Sequence, residues 1–128
     1  MTKYTLIGLQ ADEQRAVCEA APELRIETGE GGTPVTFQKE GQGLRVRCVN
    51  GVRTVSYTSR SALMRAVGLL AEQDRRRPGE DFEVQETPAF HTLGAMLDNS
   101  RNAVMKVDTV KKTCRLLSPV SYTHLRAH

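Results

Sequence analysis

The sequence predicts an α+β fold, in which a small antiparallel sheet carries helices on one face and one strand–helix unit follows. Three observations predict it. Apolar and polar residues alternate over residues 35–57, an apolar stripe of helical period extends to about Arg75, and an unbroken apolar run follows Pro88. The chain has 128 residues, which suits about one ordinary domain.

The first part of the chain predicts a strand, a helix and a second strand. Residues 3–9 are rich in β-forming side chains and stop near a glycine. Asp12 can cap a helix to about Ala20, because its carboxylate accepts hydrogen bonds from free amides of the first turn. Leu24 and Ile26 then suggest a second strand, which a glycine-rich turn ends.

The clearest local signal is a hairpin. Residues 35–37 and 44–48 alternate between apolar and polar side chains, and residues 52–57 return after the pair Asn50-Gly51. Asn-Gly is the pair favoured in a type I′ hairpin turn, since both positions need a positive φ. An antiparallel meander with one buried face is predicted.

A second helix and a short strand complete this part. Ser59 or Ser61 is the predicted cap of a helix to about Arg75, whose apolar stripe is wide enough to cover a sheet. An Arg-Pro-Gly sequence ends the helix, and residues 82–84 predict the last strand. Residues 1–88 therefore form the first predicted domain.

The pattern changes after Pro88. Residues 90–97 are apolar without alternation, which is typical of a parallel strand buried on both faces. A polar cluster follows at 98–101, and Asp108 then caps an amphipathic helix. One such unit leaves its strand edges bare, so we expect its partners beyond the chain's end or in another molecule.

Two short motifs lie in this unit. The strand ends in Leu97-Asp98-Asn99-Ser100-Arg101, and residues 107–112 read Val-Asp-Thr-Val-Lys-Lys. Both resemble the start of the catalytic barrel in glycoside hydrolase family 20, the β-N-acetylhexosaminidases. Residues 1–88 are similar in layout to the auxiliary α/β domain that precedes this barrel. The resemblance implies that residues 89–119 begin a truncated (β/α)8 barrel, whose active site lies at the carboxyl ends of the strands.

The resemblance also implies a reaction. The family removes terminal β-linked N-acetylglucosamine or N-acetylgalactosamine from glycans by substrate-assisted retaining hydrolysis. The acetamido oxygen of the sugar attacks C1, while an Asp-Glu pair on a later strand orients the acetamide and protonates the leaving oxygen. No Asp-Glu dipeptide follows Pro88. We therefore expect no catalytic residue in this chain and no activity from it alone, and the family needs neither a metal nor another cofactor.

Asp98 and Arg101 are the candidate site residues, at the end of the first barrel strand. They either contact the sugar or, three positions apart, pair with each other and shape the loop, and we favour the pairing. Many family members place an Arg that binds sugar hydroxyls five residues before the signature Asp. That position is Leu93 here, and nearby His91 is interpreted as structural.

A self-contained binding module is the alternative to an enzyme fragment. It would hold RNA phosphates with Arg45, Arg47 and Arg53, or bind a protein, and its strand after Pro88 would join the main sheet. Tyr57 is the one aromatic residue near these arginines, so stacking platforms for bases are missing. A structural domain without activity is a third possibility. We expect amino-sugar glycans as partners of the full-length enzyme, and no nucleic acid.

The sequence also bears on location. The net charge is +3, and its basic excess falls in residues 89–119, where a solvated helix end accounts for it. The N-terminus lacks the apolar core of a signal peptide, and no apolar stretch approaches the roughly 20 residues of a membrane span. Three scattered cysteines predict neither zinc nor disulfides, so a cytoplasmic protein is expected.

Residues 120–128 are predicted to be non-native. Val-Ser-Tyr-Thr-His-Leu-Arg-Ala-His resembles one reading frame of a transposon adapter used in sequencing libraries, so the coding sequence is expected to be lost at about Pro119. The pair His124 and His128 has helical spacing but no nearby third ligand, and no zinc site is predicted.

The source DNA tests this prediction. Codons 120–128 should match the adapter, and unrelated codons would contradict the idea. Extending the true reading frame should recover an Asp-Glu pair about two hundred residues downstream, since a whole barrel takes ~250 residues.

Overall fold

A computed structural model describes residues 2–87, 94–97, 106–120 and 124–127. These residues form two sheets and three α-helices. The strands are β1 (Thr2–Ile7), β2 (Ile26–Thr28), β3 (Thr33–Lys39), β4 (Leu44–Val49), β5 (Val52–Tyr57), β6 (Phe82–Glu86), β7 (Gly94–Leu97) and β8 (His124–Ala127). The helices are α1 (Ala11–Leu24), α2 (Arg60–Arg76) and α3 (Val107–Leu117), followed by a 3₁₀ turn, Ser118–Val120.

The main sheet is mixed. Its strand order is β2-β1-β3-β5-β4-β6. Strand β4 is antiparallel to β5 and β6, as predicted, but β1 is parallel to β2 and β3, and β3 is parallel to β5. The α+β class is therefore confirmed, whereas the antiparallel meander is corrected. Helix α1 connects β1 to β2, and a helical crossover returns the chain in the same direction.

Strands β3 and β4 are consecutive in sequence but not neighbours in the sheet. The link 40–43 passes over the end of β5, where Lys39 and Leu44 both lie opposite Tyr57. Neighbouring strands are about 4.8 Å apart, so the link spans roughly 10 Å, which its residues reach easily. Strand β5 thus lies in the middle of the sheet, where Val55 and Tyr57 are buried.

One face of this sheet is apolar and carries both α1 and α2. Alternate residues of the central strands point to that face, and Val55 lies between Phe37 and Val46 in register. Helix α2 contacts β4 and β5, and α1 contacts α2. The predicted placement of helices on one face is confirmed. The largest fully buried side chains are Tyr4, Tyr57, Leu63, Leu70, Val17, Val35, Val46, Val55 and Val67.

The predicted hairpin turn is confirmed. Asn50 and Gly51 both have positive φ, 51° and 78°, and Val49 pairs with Val52 across the turn. Two positive φ values are those of a type I′ turn, whose twist matches the strands that it joins.

The helix ends follow the sequence in part. Ser59 caps α2 as predicted, since its Oγ accepts a hydrogen bond from the Ala62 amide at 3.2 Å. Helix α1 begins after Gln10 rather than at Asp12, and it contains Pro22. A proline in the last turn removes only one helical hydrogen bond. The helix then ends at Arg25, whose φ of 59° is left-handed.

The β7 strand does not join the main sheet. It pairs in parallel with β8, and α3 lies between the two strands in sequence. This pairing contradicts the self-contained module, which required the strand in the main sheet. Strand β8 falls within residues 120–128. The non-native origin of these residues stays a prediction.

Substitutions at two glycines of the 40–43 link can test how closely this link approaches β6. Gly41 and Gly43 have nearly the same φ, 76° and 75°. A Cβ on Gly43 would overlap the carbonyl oxygen of Glu86, whereas one on Gly41 would meet nothing within 4 Å. Gly43→Ala is therefore expected to lower the free energy of unfolding by about 3 kcal/mol. Gly41→Ala, the matched control, should cost about 1 kcal/mol for its left-handed φ. Urea denaturation measures both, and equal losses would contradict the packing.

Candidate functional site

The predicted site would lie at the carboxyl edge of the β7–β8 sheet. Strand β7 ends at Leu97, which is paired with Ala127 of β8. Since the two strands are parallel, their carboxyl ends meet at one edge, where the sites of β/α folds form. Asp98 and Arg101 follow Leu97 in sequence but lie outside the described residues, as do His91 and Leu93.

The described residues offer neither a metal site nor a membrane span. Across 2–87, 94–97, 106–120 and 124–127, no three His, Cys, Asp or Glu side chains are grouped as metal ligands would be. Within the same ranges, every helix is too short or too polar to cross a bilayer.

The one Asp-Glu dipeptide of the chain is structural. Asp12 is exposed and pairs with Arg60, which joins the first turns of α1 and α2. Glu13, in contrast, is 3% exposed. Its Oε1 accepts hydrogen bonds from the Tyr57 hydroxyl at 2.9 Å and the Gln10 amide at 3.1 Å. Burial and the Glu13 carboxylate raise the pKa of Tyr57 to about 12.

A second buried charge joins α2 to the sheet. Asp74 accepts two hydrogen bonds from Arg53, with Nε to Oδ2 at 3.0 Å and Nη2 to Oδ1 at 3.0 Å. The Tyr4 hydroxyl donates to the same carboxylate. Burial, followed by the hydrogen bond to Asp74, raises the pKa of Tyr4 far above its ordinary value, and the same carboxylate raises the pKa of Arg53. Every side chain in this cluster has a partner, so the cluster holds the fold together.

This cluster also bears on the RNA alternative. Arg45 and Arg47 are exposed on the open face of the sheet. Arg53 pairs in register with buried Cys48 and reaches Asp74 on the helix-covered face. The three arginines therefore do not share a face.

The third helix packs against the sheet domain through polar contacts. Helix α3 contacts α1. The Nε of Arg115 donates to Oε1 of Glu23 at 3.1 Å, and this hydrogen bond is the main cause that lowers the pKa of Glu23. No residue of α3 is buried, and Leu116 is 50% exposed. An ion pair, rather than an apolar seam, thus fixes this helix.

The 3₁₀ turn after α3 packs against α2. A Cβ placed on Gly68 would lie 2.8 Å from the Cβ of Pro119, so only a glycine leaves room for this proline. Arg65 donates through Nη1 to the Pro119 carbonyl at 3.3 Å. Arg65 and Gly68 carry no sequence signal of this contact, because both look like ordinary positions on an amphipathic helix.

A cavity of about 430 Å³ lies beside this contact, between the carboxyl end of α1, α2 and the 3₁₀ turn. Its lining includes Arg25, Arg75 and Arg76, and three cations together could bind an anion. The Nη1 of Arg75, however, donates to the Leu24 carbonyl at the end of α1 at 3.1 Å, and Arg76 pairs with Glu72. Cations at helix ends offset the negative end of the helix dipole. Arg75 and Arg76 therefore already have partners within the fold.

The fold and the junction define a class of protein: a small α+β domain whose helices carry the start of a β/α unit. This is the fold of the N-terminal part of family 20 glycoside hydrolases. The resemblance that the motifs indicated is thereby confirmed at the level of the fold.

Three solved structures show the likeness. The family 20 β-N-acetylhexosaminidase of Streptomyces coelicolor A3(2) is 20% identical, with a TM-score of 0.68 over 98% of this chain and 30% of its own. The exo-β-N-acetylglucosaminidase of Vibrio harveyi is 18% identical, with a TM-score of 0.69 over 99% of this chain and 22% of its own. The Bacteroides fragilis β-N-acetylhexosaminidase is 19% identical, with a TM-score of 0.69 over 99% of this chain and 28% of its own. This chain thus spans less than a third of each. No protein-family model and no curated protein matches the sequence.

The Arg53–Asp74 pair generates a stability prediction. Asp74→Ala leaves Arg53 and the Tyr4 hydroxyl without their partner in a site where the Asp74 side chain is 7% exposed. Removing one partner of a buried ion pair costs about 3 kcal/mol or more of unfolding free energy. Glu72→Ala, on the same helix, breaks an exposed pair with Arg76 and should cost less than about 0.5 kcal/mol. Urea denaturation compares the variants, and similar losses would rule out a structural role for the cluster.

Proposed function

We propose that this chain is the N-terminal part of a family 20 glycoside hydrolase, a β-N-acetylhexosaminidase. The observation that carries the proposal is the fold match, which extends over 98–99% of the chain, including the β/α unit after the sheet domain. The signature residues Leu97, Asp98, Ser100 and Arg101 support it independently, since Leu97 ends β7 and the other three follow it in sequence.

The proposed reaction removes a terminal β-linked N-acetylhexosamine from a glycan. The acetamido oxygen of the substrate acts as the nucleophile, so the enzyme needs no nucleophilic carboxylate of its own. An adjacent Asp-Glu pair is required to orient the acetamide and to protonate the leaving oxygen. The only such dipeptide here is Asp12-Glu13, and Glu13 is buried under Tyr57 in the sheet domain. We therefore propose that the pair belongs to a longer protein and that this chain alone is inactive.

Asp98 and Arg101 are proposed to shape the loop after β7 rather than to bind the sugar directly. Opposite charges three positions apart in a short loop can pair. A double-mutant cycle on Asp98→Asn and Arg101→Gln in the longer protein separates the two roles. Strong coupling in the free energy of unfolding supports the pairing, while a large loss of substrate affinity without such coupling supports sugar contact.

We also propose that the protein works in a reducing compartment such as the cytoplasm. Cys18, Cys48 and Cys114 are all free, and Cys18 and Cys114 are exposed. Exposed free thiols persist where disulfides do not form.

The function is tested by comparing two chains and two substrates. The longer protein from the extended reading frame should hydrolyse 4-nitrophenyl N-acetyl-β-D-glucosaminide. It should cleave the matched β-D-glucoside at least about a thousandfold more slowly, since that sugar lacks the acetamide that attacks C1. The 128-residue chain should release no nitrophenol from either substrate. Turnover by this chain, or equal rates of the longer protein on both substrates, would contradict the proposal.

A further inference from the structure

Arg65 contacts two segments that are far apart along the chain. Its Nε and Nη2 donate to the two carboxylate oxygens of Glu86, each at 3.2 Å. Its Nη1 donates to the carbonyl oxygen of Pro119 at 3.3 Å. Glu86 is the last residue of β6, where the chain leaves the main sheet, and Pro119 follows α3. One guanidinium thus binds both ends of segment 87–119.

Gly68 completes the surface that Pro119 contacts. It lies three positions after Arg65, so the two residues share a face of α2. Without a side chain at position 68, the proline packs directly on the helix. Arg65 donates a hydrogen bond to Pro119, and Gly68 leaves the space that the ring of Pro119 occupies.

We propose that Arg65 is a clasp that closes the first strand–helix unit onto the sheet domain. It couples Glu86 to Pro119, so that the exit from β6 and the end of α3 are held together. If the proposed function holds, this unit begins the catalytic barrel, and the clasp fixes the base of the strand that precedes Asp98 in sequence. An arginine suits the role because its planar fork serves a carboxylate on one edge and a carbonyl with the remaining nitrogen.

An ordinary surface ion pair is the competing interpretation. Arg65 and Glu86 are 29% and 38% exposed, and such a pair alone contributes ~0–1 kcal/mol. The two interpretations differ in their effect on residues that do not contact Glu86. A clasp makes the docking of residues 107–120 depend on Glu86, which reaches Pro119 through Arg65. A plain ion pair affects only its own surroundings.

Hydrogen–deuterium exchange on the 128-residue chain separates them. In Glu86→Gln and Arg65→Lys, we expect amides of residues 107–120 to exchange about fivefold faster, because a hydrogen bond of about 1 kcal/mol is lost from docking. Amides of residues 44–57 should be unchanged. The matched controls are Glu83→Gln and Arg45→Lys, which alter a more exposed ion pair between the same strand β6 and β4. They should leave residues 107–120 at the wild-type rate. Wild-type exchange there in Glu86→Gln would overturn the clasp.

Gly68→Ala provides a second test, because it should change the amide exchange rate in opposite directions in α2 and in residues 107–120. Alanine favours a helix interior over glycine by about 1 kcal/mol, so exchange within α2 should slow. The new Cβ displaces Pro119, so exchange in residues 107–120 should rise at the same time. Slower exchange in α2 without faster exchange in residues 107–120 would show that the proline is not seated on the helix, and the clasp would fail.

The exchange experiments need no catalysis, so the two proposals fail separately. An inactive longer protein with a coupled Glu86 refutes the proposed function and leaves the clasp. An active longer protein whose residues 107–120 ignore Glu86 refutes the clasp alone.

Discussion

The structure depends on one constraint: the main sheet has a single apolar face, and that face must be covered. Buried side chains of all six strands point to it, and α1 and α2 supply the cover. Fully burying one such aliphatic or aromatic side chain contributes roughly 1.5–3 kcal/mol, so the helices cannot leave the sheet without losing the core. Two charged contacts fix them there, Asp74 with Arg53 and Tyr4, and Glu13 with Tyr57.

The outer surfaces of the same helices carry the next part of the chain. Glu23 of α1 holds Arg115, and α2 offers Arg65 and Gly68 to Pro119. The molecule is therefore layered, with the sheet first, α1 and α2 on it, and residues 106–120 outside them. Each layer depends on the one beneath, because a helix that shifted on the sheet would also move its outward-facing side chains.

Local features of this fold could be predicted from the sequence, and long-range ones only in part. The Asn50-Gly51 turn and the cap of α2 are set by a few adjacent residues, so the sequence predicts the turn and narrows the cap to Ser59 or Ser61. The parallel pairing of β1 with β2 follows from the crossover helix between them, so the predicted antiparallel sheet is wrong at these strands. The place of β5 between β3 and β4 depends on which strands bury most surface, and no short motif records it. Arg65 and Gly68 are hidden for a similar reason, since their partner Pro119 lies some fifty positions away.

The contrast between the two parts of the chain explains why the strand–helix unit resembles a beginning rather than a finished domain. The sheet domain buries apolar residues in every one of its strands, whereas α3 buries none, and Val107, Leu116 and Val120 are 69%, 50% and 47% exposed. An ion pair, a glycine contact and one carbonyl hydrogen bond hold residues 106–120, and such contacts contribute about 1 kcal/mol each. In a β/α barrel the first helix buries one side against neighbouring units, which adds the apolar contacts that are sparse here. Under the proposed function, the polar junction need only orient the unit, because the other units of a barrel would add those contacts.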